Sequence, residues 1–110
     1  MTIALESAAN AQIVALQGQI NSANAATTEA EVLALVASGQ KNLVIDFAAL
    51  DYISSAGLRL VLVLAKRLKQ ERGRLVLCAM QPHVHEVFDI SGFLAILDVQ
   101  ATRQEALARL

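Results

Sequence analysis

The segment Leu43-Val44-Ile45-Asp46-Phe47 limits the choice of fold more than any other part of the chain. It is rich in β-branched and aromatic residues and barely alternates between apolar and polar, the pattern of a short strand covered on both faces. Such a strand needs helices to cover it, and helical patterns stand on either side. Upstream, Thr28-x-x-Glu31 has the form of a capping box and leads into Val32, Leu33, Leu35 and Val36 before Ser38-Gly39. Downstream, Leu58, Val61, Leu62, Ala65 and Leu68 recur at helical spacing from Ser54 or Ser55 until Gly73, while Arg59, Lys66 and Gln70 fall on another side.

The remaining segments extend the alternation. Ile3–Leu5 and Ile13–Leu16, separated by a Ser7–Asn10 turn, predict an N-terminal hairpin. Leu75–Cys78 predicts another buried strand, and Pro82 opens a third helix with Val84, Val87 and Phe88 inward, ending at Ser91-Gly92. Ile96–Val99 predicts a last strand, and Thr102-x-x-Glu105 a capped terminal helix over 102–110. The order ββαβαβαβα defines an α/β fold: a mixed sheet of an antiparallel hairpin plus parallel strands, packed with about four helices.

Length and composition narrow the function. At 110 residues the chain is expected to be one domain over 1–110. Nine lysines and arginines against ten acids give a net charge of −1, without the basic excess of a general nucleic-acid binder. Cys78 is the single cysteine, which fits a reducing cytoplasm, and it forms no metal-ligand spacing with His83 and His85. Mean hydropathy is +0.49, yet apolar runs such as Leu60–Ala65 are far shorter than the roughly 20 residues of a membrane span, and no secretory signal opens the chain. Aromatics are only 4%, offering no platform for stacking bases or sugars.

In parallel sheets function gathers where strand carboxyl ends meet helix N-termini, here the stretch Asp46 to Leu58 with Ser54 and Ser55 at the helix mouth. Two readings fit the serines. One of them simply caps the helix. Alternatively, the free amides and positive dipole end hold an anion, whether bound phosphate or phosphate carried by a first-turn serine, with Ala56 and Gly57 leaving the mouth uncrowded.

The stretch Leu43–Phe47 through Tyr52-Ile53-Ser54-Ser55-Ala56-Gly57-Leu58-Arg59 resembles the signature of STAS domains of the anti-sigma factor antagonist family. Gly18-Gln19-Ile20-Asn21 resembles that family's Gly-x-Leu-Asp turn after the second strand, and Val87–Phe93 with Glu105-Ala106-Leu107 resembles its C-terminal half. The resemblance implies the STAS fold for nearly the whole chain and places the phosphoacceptor at Ser55. Ser54 and Asn21 stand where members commonly have aspartate, and the partner-binding surface would comprise Asn21, Ser54, Ser55, Ala56, Gly57, Leu58 and Arg59. It further implies a non-enzymatic regulator with no cofactor and no direct nucleic-acid contact, expected to be a monomer. Its partners would be an anti-sigma factor that is a serine kinase of the histidine-kinase-like ATPase superfamily, and a metal-dependent serine phosphatase that resets the switch. The rival within the same fold is a STAS subunit docked permanently on the ATPase of a lipid-transport complex, with no phosphate cycle.

A serine hydrolase fits poorly. Ser55-Ala56-Gly57 supplies half of a nucleophile elbow, but Ile53 stands where the motif needs glycine, and His83 and His85 lie on another element without an orienting acid. Those histidines read as surface residues at a helix start, and i, i+2 positions do not share a helix face. Arg59, Lys66, Arg67, Lys69, Arg72 and Arg74 concentrate positive charge on one helix and its exit, either as a solvated face or as a dock for an acidic surface or anionic lipid. Arg59, one turn beyond Ser55, is placed to reach a phosphate there or the partner, and Cys78 reads as a small buried hydrophobe.

Overall fold

The computed structural model describes residues 2–8 and 10–110. Five strands lie in the order β1-β2-β3-β4-β5: β1 Thr2–Ala8, β2 Ala11–Ile20, β3 Asn42–Ile53, β4 Arg74–Cys78 and β5 Asp98–Gln100. The expected hairpin is present, with β1 antiparallel to β2, and every later pairing is parallel. The centre of the hairpin turn, at residue 9, lies outside the described residues. Helices α1 (Ala25–Ala37), α2 (Ser55–Gln70) and α3 (Pro82–Ile90) connect successive strands, and α4 (Arg103–Leu107) follows β5.

A strand order that follows the sequence, joined by crossovers of one hand, places every crossover helix on the same face of the sheet. The core shows this. Leu43, Ile45 and Phe47 of β3 pack with Val32 and Val36 of α1, Leu58, Val61, Leu64 and Leu68 of α2, and Val84 and Phe88 of α3. Phe88 meets Phe47 edge-on at 5.7 Å, fixing α3 against the central strand. The opposite face carries a smaller cluster of Ile13, Val44, Val76 and Cys78, covered by Ala106 of α4. Cys78 is fully buried there, as expected of a small hydrophobe. Asp46 shares that face, 7% exposed, and is held by Arg103 of α4 at 2.8 Å, which also reaches Glu6 of β1. The buried carboxylate accepts a second bond from the Ala48 amide, so this polar group is both paired and hydrogen-bonded.

Five boundaries depart from the sequence expectation. The first concerns β3, which continues through residues 48–53, a stretch that shows no strand alternation. Its register against β2 slips between Ala15 and Gln17 and again between Gly18 and Gln19. Each slip places an extra residue on β3, a bulge. Phe47, Leu50 and Ile53 therefore face the same core although they are three apart. The second concerns Gly18, which lies inside β2 at φ +94, not in a turn after it; glycine is the residue that adopts this backbone without strain.

The third is the start of α1, at Ala25 and not at Thr28. Thr28 is buried in the first turn and its hydroxyl donates to the Asn24 carbonyl, so Thr28 caps nothing. The fourth is the last strand, which begins at Asp98. Phe93–Ala95 forms a 3-10 turn, and Ile96, expected within the strand, is 67% exposed. The fifth is the terminal helix, which ends at Leu107 and not at 110, although it does carry its capping box, with the Thr102 hydroxyl accepting from the Glu105 amide at 3.1 Å.

Candidate functional site

The site forms where the carboxyl ends of β2 and β3 lie side by side. Ile20 and Ile53 are register partners, and the Ser54 amide donates to the Ile20 carbonyl at 2.9 Å. Asn21 and Ser54, the residues that follow each strand, are thereby neighbours although 33 positions separate them in sequence.

At the mouth of α2 the two serines do different work. Ser54 is extended, at φ −89 and ψ 173, and its hydroxyl accepts from the Gly57 amide at 3.2 Å, so Ser54 is the cap. Ser55 is the first residue of the helix, is exposed, and its hydroxyl has no hydrogen-bond partner among the described residues. No acidic side chain occupies the first turn, so the dipole end is not neutralised locally.

Gly57 does not leave the mouth uncrowded; it is buried and faces inward. A Cβ at this position would lie 2.6 Å from Ile53 Cγ1 and 2.8 Å from Ile20 Cγ2. The missing side chain is what lets α2 begin directly on the two strand ends. Ala56 and Leu58 pack against the same core; of the expected surface residues Ser55 and Arg59 are exposed, Asn21, Ser54 and Ala56 are partly so, and Gly57 and Leu58 are buried.

Asn21 shapes the turn beside this mouth. Its Oδ1 accepts from the amides of Ala23 and Asn24, while its own amide donates to Asn24 Oδ1. Asn24 also donates to the Gln19 carbonyl. A hollow of about 260 Å³ separates this turn from α2, lined by Ser22, Ala25, Ala26, Glu29, Ala56 and Arg59. Arg59 forms no ion pair among the described residues.

Three neighbours escape the sequence reading. Tyr52, 49% exposed, stands just ahead of the serines. His83 bonds through Nε2 to the Asp51 carbonyl, and Gln81 donates to the Ala48 carbonyl at 3.0 Å, stapling the start of α3 to the bulged half of β3. Both histidines are exposed at the start of α3, as expected. The staple residues lie about thirty positions from their partners and carry no local signature; an aromatic two positions before a serine pair is the one signal that could have drawn attention to Tyr52.

The STAS-domain family model matches residues 2–106. BtrV of Bordetella bronchiseptica, a candidate anti-sigma factor antagonist, is 56% identical over 96 residues, covering 87% of this chain and 83% of BtrV. Among solved structures, the unphosphorylated anti-sigma factor antagonist SpoIIAA superposes with a TM-score of 0.83 at 25% identity, over 98% of this chain and 95% of that one. A candidate antagonist from Thermotoga maritima reaches 0.93 at 17% identity, over 97% and 92% of the two chains, a likeness of fold. The chain belongs to the STAS-domain family. Within that family SpoIIAA is an anti-sigma factor antagonist and BtrV a candidate one.

Proposed function

We propose that this protein is an anti-sigma factor antagonist that works by partner switching. In the unmodified state it docks an anti-sigma factor through exposed Ser55 and Arg59 and partly exposed Asn21, Ser54 and Ala56, with buried Gly57 and Leu58 holding the start of α2 in place beneath them, and so frees the sigma factor. That anti-sigma factor is a serine kinase, and its phosphorylation of Ser55 ends the complex; a serine phosphatase restores it. The protein acts as a cytoplasmic monomer of one STAS domain and catalyses nothing itself.

The observation that carries this reading is the division of labour between the serines: Ser54 caps α2, and the Ser55 hydroxyl is exposed and unengaged. Transfer to Ser55 forms a bond from Oγ to the γ-phosphorus of ATP held by the kinase, releasing ADP, with the hydroxyl proton passing to a base on the kinase. The product adds a charge of roughly −1.5 to −2 and three acceptor oxygens. At the first position of a helix such a group is favourably placed, because the dipole end and free amides accept negative charge. The fold therefore tolerates the modification while the docking surface changes sign. Weakening the complex by about 2.7 kcal/mol would reduce affinity about a hundredfold.

The test is to mix the full chain with anti-sigma kinases of its genome and ATP, then locate added phosphate by peptide mass spectrometry. Modification at Ser55, abolished in Ser55→Ala but not in Ser54→Ala, with loss of binding in Ser55→Asp, is the expected result. Equal binding by Ser55→Ala and Ser55→Asp, with no kinase modifying the chain, overturns the switch and favours constitutive docking on an ATPase.

A further inference from the structure

Helix α2 contains no acidic residue, and six of the chain's nine lysines and arginines lie on it and its exit: Arg59, Lys66, Arg67, Lys69, Arg72 and Arg74. Arg67 is paired with Glu71 at 3.5 Å. Arg59, Lys66 and Lys69 have no ion-pair partner among the described residues. With Leu62 they fall at i, i+3, i+7 and i+10, one helical face that also holds Ser55 a turn ahead of Arg59. Beside the second half of this face runs a groove of about 480 Å³ lined by Leu62, Ala65, Lys66, Lys69, Ile96 and Leu97. Ile96, 67% exposed, is its outer wall.

We propose that this face and groove form a second part of the docking surface, receiving from the anti-sigma factor an acidic segment with an apolar anchor side chain; the proposal rests on the antagonist function above. Charge complementarity sets the chemistry of the occupant. A row of cations without ion-pair partners among the described residues attracts carboxylates and fixes the register of the partner. The apolar slot between Leu62 and Ile96 accepts the anchor. From Ser55 to Lys69 the helix rises about 21 Å, so one partner element laid along α2 reaches both the serine and the groove. A bilayer is the weaker match, since one concave slot and three cations lack the broad apolar face of an interfacial helix.

The arrangement also couples the two ends. A phosphate on Ser55 lies one turn from Arg59, within reach of its guanidinium. It would pair with Arg59 internally and repel the acidic segment, so a single modification removes a cation and adds an anion on the same face.

The test measures the dissociation constant of the full chain for its cognate anti-sigma factor, for wild type, the Lys66→Glu/Lys69→Glu double variant, Ile96→Ser and Ser55→Asp. All four positions are exposed, so unfolding midpoints serve as a control: none should fall by more than a few degrees, and Ser55→Asp should rise slightly at low salt. The double variant is expected to bind roughly tenfold or more weakly at low salt, with the gap closing as salt rises, and Ile96→Ser several-fold more weakly at all salts. Wild-type affinity in both, with Ser55→Asp still defective, overturns the groove and leaves the antagonist function standing. Failure of wild type to bind any anti-sigma factor overturns both. Phosphatidylglycerol vesicles captured by wild type but not by the double variant, with unchanged anti-sigma affinity, overturn the proposal in favour of a lipid surface.

Discussion

Replacing Ser54 by alanine tests whether the two serines have been assigned their roles correctly. The variant loses the bond from the Gly57 amide to the Ser54 hydroxyl, and truncating a serine cap costs about 0.5–2 kcal/mol. Here the bond is 3.2 Å long and Ser54 is only partly buried, so water can solvate the released amide and the cost belongs in the lower half, about 0.5–1 kcal/mol. For a domain of this size that corresponds to a fall in Tm of about 2–5 °C, and in urea to a midpoint lowered by about 0.5 M with an unchanged slope. Ser55→Ala should stay within about 0.5 kcal/mol of wild type, as surface changes do. Ser55→Asp should gain about 0.3–1 kcal/mol at low salt, because the carboxylate sits at the dipole end. Urea denaturation of the three variants at two salt concentrations decides it. A neutral Ser54→Ala beside a Ser55→Ala that loses about 1 kcal/mol would refute the reasoning: Ser55 would be the cap, and its modification would break the helix start.

Arg103→Ala should cost about 3 kcal/mol in chemical denaturation, because it strands the buried Asp46 carboxylate beneath α4; Arg103→Ala combined with Asp46→Leu should recover most of that loss. Gly57→Ala is expected to destabilise by about 1–3 kcal/mol, since its Cβ must push Ile53 and Ile20 apart, and calorimetry would show it. Burial, reinforced by the Asp46 carboxylate, pushes the Cys78 thiol up to about 12. The native thiol should therefore resist alkylation at pH 9. Because the folded state keeps its proton after the unfolded chain has lost it near 9, stability should fall as pH rises above 9, and less steeply in Cys78→Ala.

The order of elements was legible in the sequence because each core-facing pattern is local. Leu43–Phe47 reads as a strand covered on both faces, Leu58 to Leu68 as one helical face, and Thr102-x-x-Glu105 as a capping box, without knowledge of what they touch. Residues 48–53 were not legible as strand, since Phe47, Leu50 and Ile53 are spaced by three, and that spacing makes sense only once two bulges against β2 absorb the extra residues. Thr28-x-x-Glu31 failed for a similar reason: the Asn21–Asn24 turn starts the helix earlier and carries Thr28 into the core.

The same division runs through the site. By itself the sequence determined that a serine pair opens a helix at the end of a central strand, which is enough to expect chemistry there, because helix mouths and strand ends are fixed by neighbours in sequence. It could not say which serine caps and which is free, nor that Gly57 is spent on contact with Ile20 and Ile53. Nor could it show that the unpaired cations of α2 flank a groove closed by Ile96. Those facts depend on residues 27 to 37 positions apart meeting across parallel strands and a crossover, and only tertiary packing, through its long-range contacts, sets such distances.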